Sequence, residues 1–152
     1  MEFQPRPPKF TMLIRLTIQS GKKSLRGLML VRRRPWSATV VGGGFLVRGL
    51  SENKILVDKV VLVAPWLDPS GRKTKDFFDF EIDPGLQDRV GEIHVLLSND
   101  EETEGIRETV DEILKTLPKA QLHSFENMGH FTFDEMGTEK FPKLLSIILG
   151  KD

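Results

Sequence analysis

Two short apolar runs, each too brief for a helix, set the strongest limit on what this chain can fold into. Val60-Val61-Leu62-Val63-Ala64 is closed by Pro65, and Ile93-His94-Val95-Leu96-Leu97 is followed by Ser98-Asn99-Asp100. Neither run alternates apolar with polar residues, so each predicts a strand covered on both faces in a parallel sheet. Between the second run and a third candidate strand, Ala120 to Phe125, stand Ile106, Val110, Ile113, Leu114 and Leu117. That spacing repeats one face of an α-helix. Phe141, Leu144, Leu145, Ile148 and Leu149 repeat it near the C-terminus, with Pro142 acceptable in a first turn that needs no N–H from it. An earlier candidate strand, Ala38 to Val41, runs into Gly42-Gly43-Gly44. Strands alternating with helices, joined by links too long for hairpins, predict an α/β fold with a mostly parallel sheet and flanking helices.

At 152 residues the chain is long enough for one domain with its own core. Its charge divides it unevenly. Residues 1–54 hold 11 Lys/Arg and two acids, Glu2 and Glu52, which leaves 11 Lys/Arg and 20 acids for the remainder. Residues 1–36 therefore read as an atypical basic segment, and residues 37–152 as the α/β domain. Within the first part, Met12 to Ile18 could be a strand although Pro5, Pro7 and Pro8 precede it. Arg32-Arg33-Arg34 beside Trp36 could contact phosphates, but a solvated basic stretch is the simpler reading, and nucleic acid is not expected as a partner. The chain has no cysteine, which removes disulfides and thiolate chemistry and fits a reducing, cytoplasmic setting. No run approaches the ~20 apolar residues of a membrane span.

Parallel α/β sheets bind ligands beyond the carboxyl ends of their strands. Three such places carry chemistry here: Gly42-Gly43-Gly44, Ser98-Asn99-Asp100-Glu101-Glu102, and Asn127-Met128-Gly129-His130-Phe131. An acid after one strand and a histidine after the next is the layout in which a carboxylate orients an imidazole that acts as a general base. The acids could equally be a helix N-terminus favoured by its dipole. The glycines do not complete a dinucleotide fingerprint, because Val47 stands where its last glycine should be. His94 and His123 read as core or edge residues. Three histidines without tight spacing give no reason to expect a metal, and no organic cofactor is implied.

Val60-Val61-Leu62-Val63-Ala64-Pro65-Trp66, the Ser98-Asn99-Asp100-Glu101 turn, Gly129-His130-Phe131 and Phe141-Pro142-Lys143-Leu144-Leu145 occur in this order. Together they resemble the small single-domain serine hydrolases related to retinoblastoma-binding protein 9, mainly over residues 38–152. The resemblance implies an α/β-hydrolase-like fold and esterase-like cleavage of a small ester or amide. His130 would be the catalytic histidine, and Asp100 or Glu101 its acid. Position in the family's pattern favours Glu101, and side-chain identity favours Asp100.

The departure lies in the nucleophile. Where the family has a Gly-His-Ser-Leu-Gly elbow, this chain reads Thr39-Val40-Val41-Gly42-Gly43-Gly44, and Ser37 lies too early to replace the serine. The residues before it show no family-like front half, so a truncated or altered front half is expected. The resulting expectation is a serine-hydrolase scaffold with impaired chemistry. Its alternative is a non-catalytic protein that binds a partner through the long excursion from Asp68 to Val90 or through its basic arm. Phe77, Phe78 and Phe80 should order that excursion by packing on the domain.

Overall fold

The computed structural model describes residues 31–151. The candidate strand Met12 to Ile18 and most of the basic segment lie outside them.

Four parallel strands form one sheet in sequential order: β1 (Val31–Thr39), β2 (Leu56–Val63), β3 (Val90–Ser98) and β4 (Gln121–Phe125). Helices α1 (Val40–Glu52) and α3 (Ile106–Thr116) cross between strands, and α5 (Pro142–Leu149) closes the chain. The short helices α2 (Leu86–Arg89) and α4 (Phe133–Met136) punctuate the loops. This is the α/β architecture that the apolar runs predict, a mostly parallel sheet with helices on its faces.

The two faces of the sheet have separate cores. Val60, Leu62, Ile93 and Val95 join Val47 and Leu50 of α1 and Ile106, Val110 and Ile113 of α3. Val61, Val63 and Leu96 point the other way and meet Ile147 of α5. Adjacent residues of one strand thus serve opposite layers, which is why the apolar runs of β2 and β3 contain no polar alternation.

Several boundaries differ from the expected ones. β1 begins at Val31, earlier than the candidate strand Ala38 to Val41. The stretch Val31-Arg32-Arg33-Arg34-Pro35 has no apolar run to announce it. Proline is tolerated here because β1 is an edge strand among the described residues, with its register shifting between Arg32 and Pro35. The expected strand Ala38 to Val41 ends at Thr39, and Gly42, Gly43 and Gly44 lie inside α1 instead of forming a turn. Their role is close packing: a Cβ on Gly44 would fall 2.1 Å from the Trp66 carbonyl oxygen. The first turns of α1 therefore rest directly on the Pro65-Trp66 backbone.

The excursion after β2 is also partly corrected. A 3-10 turn, Lys75–Phe78, places Phe78 in the core with its ring edge-on to Trp66, and Phe80 packs against the same cluster. Phe77 remains 43 % exposed and stacks on Phe45 of α1. In α5 the inward stripe is Leu144, Ile147 and Ile148, whereas Leu145 and Leu149, expected on the buried face, are 56 % and 53 % exposed. Leu144, Leu145, Ile147, Ile148 and Leu149 are all apolar enough to suit either face, so periodicity alone misplaces the stripe by about one residue.

Candidate functional site

All four strands point their carboxyl ends to one edge of the sheet, and the backbone there is unusual. Val40, Ala64, Asp68, Asn127 and Phe131 are the non-glycine residues with positive φ among those described, and each lies in a segment that follows a strand. Such conformations cost of order 1–3 kcal/mol each and persist where the surrounding structure enforces them. Val40, with φ 47°, is the hinge between β1 and α1. Its carbonyl accepts the Trp66 N–H at 3.1 Å.

The loops after β3 and β4 bring the expected acids and histidine together. His130 Nδ1 lies 2.8 Å from Glu101 Oε2. The Glu101 side chain is 1 % exposed and that of His130 22 %. Glu101 Oε1 accepts the Thr103 N–H at 2.8 Å, so both carboxylate oxygens are used. Facing a carboxylate, which only accepts when ionised, Nδ1 is the nitrogen placed to carry the proton, and a neutral ring in this orientation keeps its lone pair on Nε2. That is the tautomer a general base needs.

Asp100 takes a different position. Its Oδ1 accepts the Gly129 N–H at 2.9 Å and the Ser98 hydroxyl, and no contact joins it to the imidazole. The Ser98 hydroxyl holds its carboxyl below the usual aspartate range against the opposing effect of burial, with the Gly129 N–H adding to the lowering. Asp100 thus fastens the backbone on which His130 is carried, while Glu101 meets the ring.

Further residues complete this fastening. Ser98 Oγ accepts the Met128 N–H at 2.9 Å, and Asn99 Oδ1 accepts the Asn127 N–H at 3.1 Å. Arg107 donates to the Glu101 and Asn99 carbonyls at 3.0 and 2.7 Å, holding the acid turn against α3. On the far side, Glu135 Oε2 accepts the His130 N–H at 2.8 Å and the Thr132 hydroxyl at 2.7 Å. Gly129, at φ 51°, admits this carboxylate: a Cβ there would lie 2.5 Å from the Glu135 carboxyl carbon. Sequence reasoning missed Ser98, Asn99, Arg107 and Glu135 in these roles. Only Glu135 left a local signal, since Thr132-Phe133-Asp134-Glu135 is a capping box opening α4.

Among the described residues no serine or threonine hydroxyl is hydrogen-bonded to His130 Nε2. Thr103 Oγ1 approaches the ring only from the Nδ1 side, at 3.4 Å. Ser37 lies within β1, opposite Val61, three residues before the hinge. A cleft of about 640 Å³ opens elsewhere, between the 67–71 turn, Phe78, Phe80, Ile82 and Glu112, and neither Val40, Glu101 nor His130 lines it. No group of three or more His, Asp or Glu among the described residues is arranged to hold a metal ion. No helix among them is long and apolar enough to cross a membrane.

No protein-family model and no curated protein matches this chain. Among solved structures, the ydeN gene product from B. subtilis is similar, with a TM-score of 0.65 and 18 % sequence identity, covering 77 % of this chain and 64 % of that one. The chain thus spans less than two thirds of that protein's length. At this identity the likeness establishes the fold alone, an α/β fold with a parallel sheet and flanking helices.

Proposed function

We propose that this chain is a serine-hydrolase-type protein, akin to the small single-domain hydrolases, in which the acid–histidine half of the machinery persists and the nucleophile does not. Its site would hold a small ester- or amide-like molecule without turning it over. The observation that carries this reading is Val40: a residue with φ 47° at a strand-to-helix hinge, where a hydrolase of this fold presents its serine. A valine side chain offers no lone pair to attack a carbonyl. With the Glu101–His130 pair intact, a hydroxyl at position 40 is the missing component.

In a chain carrying that hydroxyl, His130 Nε2 would take its proton as the oxygen bonds to the carbonyl carbon. The N–H of Val41, at the start of α1, is suited to the oxyanion that forms. Intact-mass analysis after incubation with a fluorophosphonate tests this, because the reagent loses fluoride and phosphonylates an activated serine. The wild-type chain should remain unlabelled, Val40→Ser should gain one adduct, and Val40→Ser combined with His130→Ala should lose it. A stoichiometric adduct on the wild-type chain that depends on His130 would overturn the reading and reveal a working hydrolase.

A non-catalytic interaction role is the second reading, supported by the outward-facing Val41, Phe45 and Phe77, which are 46 %, 47 % and 43 % exposed. A cysteine-free chain suits a reducing compartment such as the cytoplasm under either reading.

A further inference from the structure

A second polar row crosses the sheet on the face covered by α5. Lys59 of β2 is in register with Glu92 of β3, and His123 of β4 with Leu96. His94, 4 % exposed in an otherwise apolar stretch, stands between them. Its Nε2 lies 3.0 Å from Glu92 Oε2 and its Nδ1 2.9 Å from His123 Nε2. Lys59 Nζ lies 3.0 Å from the same Glu92 oxygen and donates to the Ile147 carbonyl of α5 at 2.6 Å. The only charged side chain of α5 itself is that of Lys143.

Proton positions follow from these contacts. The His94 hydrogen bond, reinforced by Lys59, holds the Glu92 carboxyl below its usual range, so Glu92 is an anion that only accepts. His94 therefore donates Nε2–H to Glu92. When neutral, it has only a lone pair on Nδ1 and receives Nε2–H from His123. One added proton preserves the contact, because a cationic His94 donates from Nδ1 to a His123 whose proton has moved to its other nitrogen. A second added proton sets N–H against N–H across 2.9 Å, and the contact must open.

We propose that His94 and His123 form a proton-counting latch that fastens β4, an edge strand among the described residues, near neutral pH and releases it in acid. β4 has five residues, and the loop that follows carries His130, so release here loosens the candidate site whether or not that site performs chemistry. The closed latch accommodates one proton, and the two histidines of the unfolded chain accept two below their ordinary value of about 6.5. The unfolded state then binds more protons, so stability falls as pH drops below that value.

The test measures urea unfolding of the full chain by tryptophan fluorescence from pH 8 to pH 5, with amide exchange of Leu122 to Phe125 followed alongside. His123→Gln keeps a side chain that can donate or accept and removes the second titrating ring. The wild-type unfolding constant should gain about tenfold per pH unit below pH 6 relative to this variant, as one linked proton requires. His130 is common to both chains, so its contribution cancels in this difference. β4 amides should lose protection in acid in the wild type and keep it in His123→Gln. Equal pH slopes in the two chains, or β4 protection indifferent to pH, would overturn the latch. If His123→Gln does not fold, imidazole NMR of the wild type decides: protons entering the pair in two separate steps, the second with loss of β4 protection, support it, and one simple simultaneous step refutes it.

Discussion

Glu101 and His130 come from loops after adjacent strands and meet at 2.8 Å, with the carboxylate almost wholly enclosed and the imidazole partly open. Asp100, one residue earlier, points instead into the backbone of the histidine loop. Two neighbouring acids therefore have separable roles, one toward the ring and one toward its support. In a Val40→Ser background, Glu101→Gln should slow fluorophosphonate labelling by about 10³ to 10⁴-fold, because an amide no longer fixes the tautomer. Asp100→Asn preserves an oxygen for Ser98 and Gly129 and should slow it far less. Labelling rates followed by mass would separate the two, and equal losses would contradict the division of roles.

The glycines of α1 make opposite predictions at two positions of the same helix. Gly44→Ala sets a methyl 2.1 Å from the Trp66 carbonyl oxygen, so α1 must lift from the loop after β2. Overpacking of this kind costs about 1–3 kcal/mol or more. Gly49→Ala meets nothing within 4 Å and should stabilise the chain by about 0.5–1 kcal/mol through helix propensity. Urea denaturation of both variants checks the pair.

Much of this arrangement was legible in the sequence, and what escaped did so for physical reasons. Runs buried on both faces announced β2 and β3, and α3 has one clean apolar stripe. Only the end of β1, at Ala38 and Thr39, was expected, because the rest of the strand is rich in arginine, is interrupted by Pro35 and carries no apolar run. Asp100 and Glu101 could not be told apart, since adjacent carboxylates in a turn differ only in where tertiary contacts send them. The conformation of Val40 has no local signature either: nothing in Thr39-Val40-Val41 favours positive φ, which accompanies the close packing of α1 on Pro65 and Trp66.

Acid should weaken the join between α1 and the segment leading to α2. Lys54 donates to Asp83 at 2.5 Å, and with the Gly85 N–H and Arg89 it lowers the Asp83 carboxyl to about 2. A carboxyl lowered by folding stabilises the native state above its unfolded value, near 3.9, and that contribution disappears as pH falls toward 2. Asp83→Asn should therefore be less stable than wild type at pH 5 and converge with it near pH 2. Denaturant midpoints across that range would show the convergence, and parallel curves would mean that Asp83 contributes nothing through its charge.

The seating of α5 can be tested one residue at a time, because its apolar surface is broad enough to suit two orientations. Ile147 is fully buried against Val61, Val63 and Leu96, and its carbonyl receives Lys59, while Leu145 and Leu149 project outward. Ile147→Ala should cost about 2–5 kcal/mol, as a buried large-to-small change does. Leu145→Ala and Leu149→Ala should stay within about 0.5 kcal/mol of wild type. If Leu145→Ala instead proved the costly variant, the helix would be rotated from this seating. The aromatic group of Phe125, Phe131 and Phe141, whose rings lie 5.2 to 5.7 Å apart beside the His130 loop, would then lose the helix that backs it.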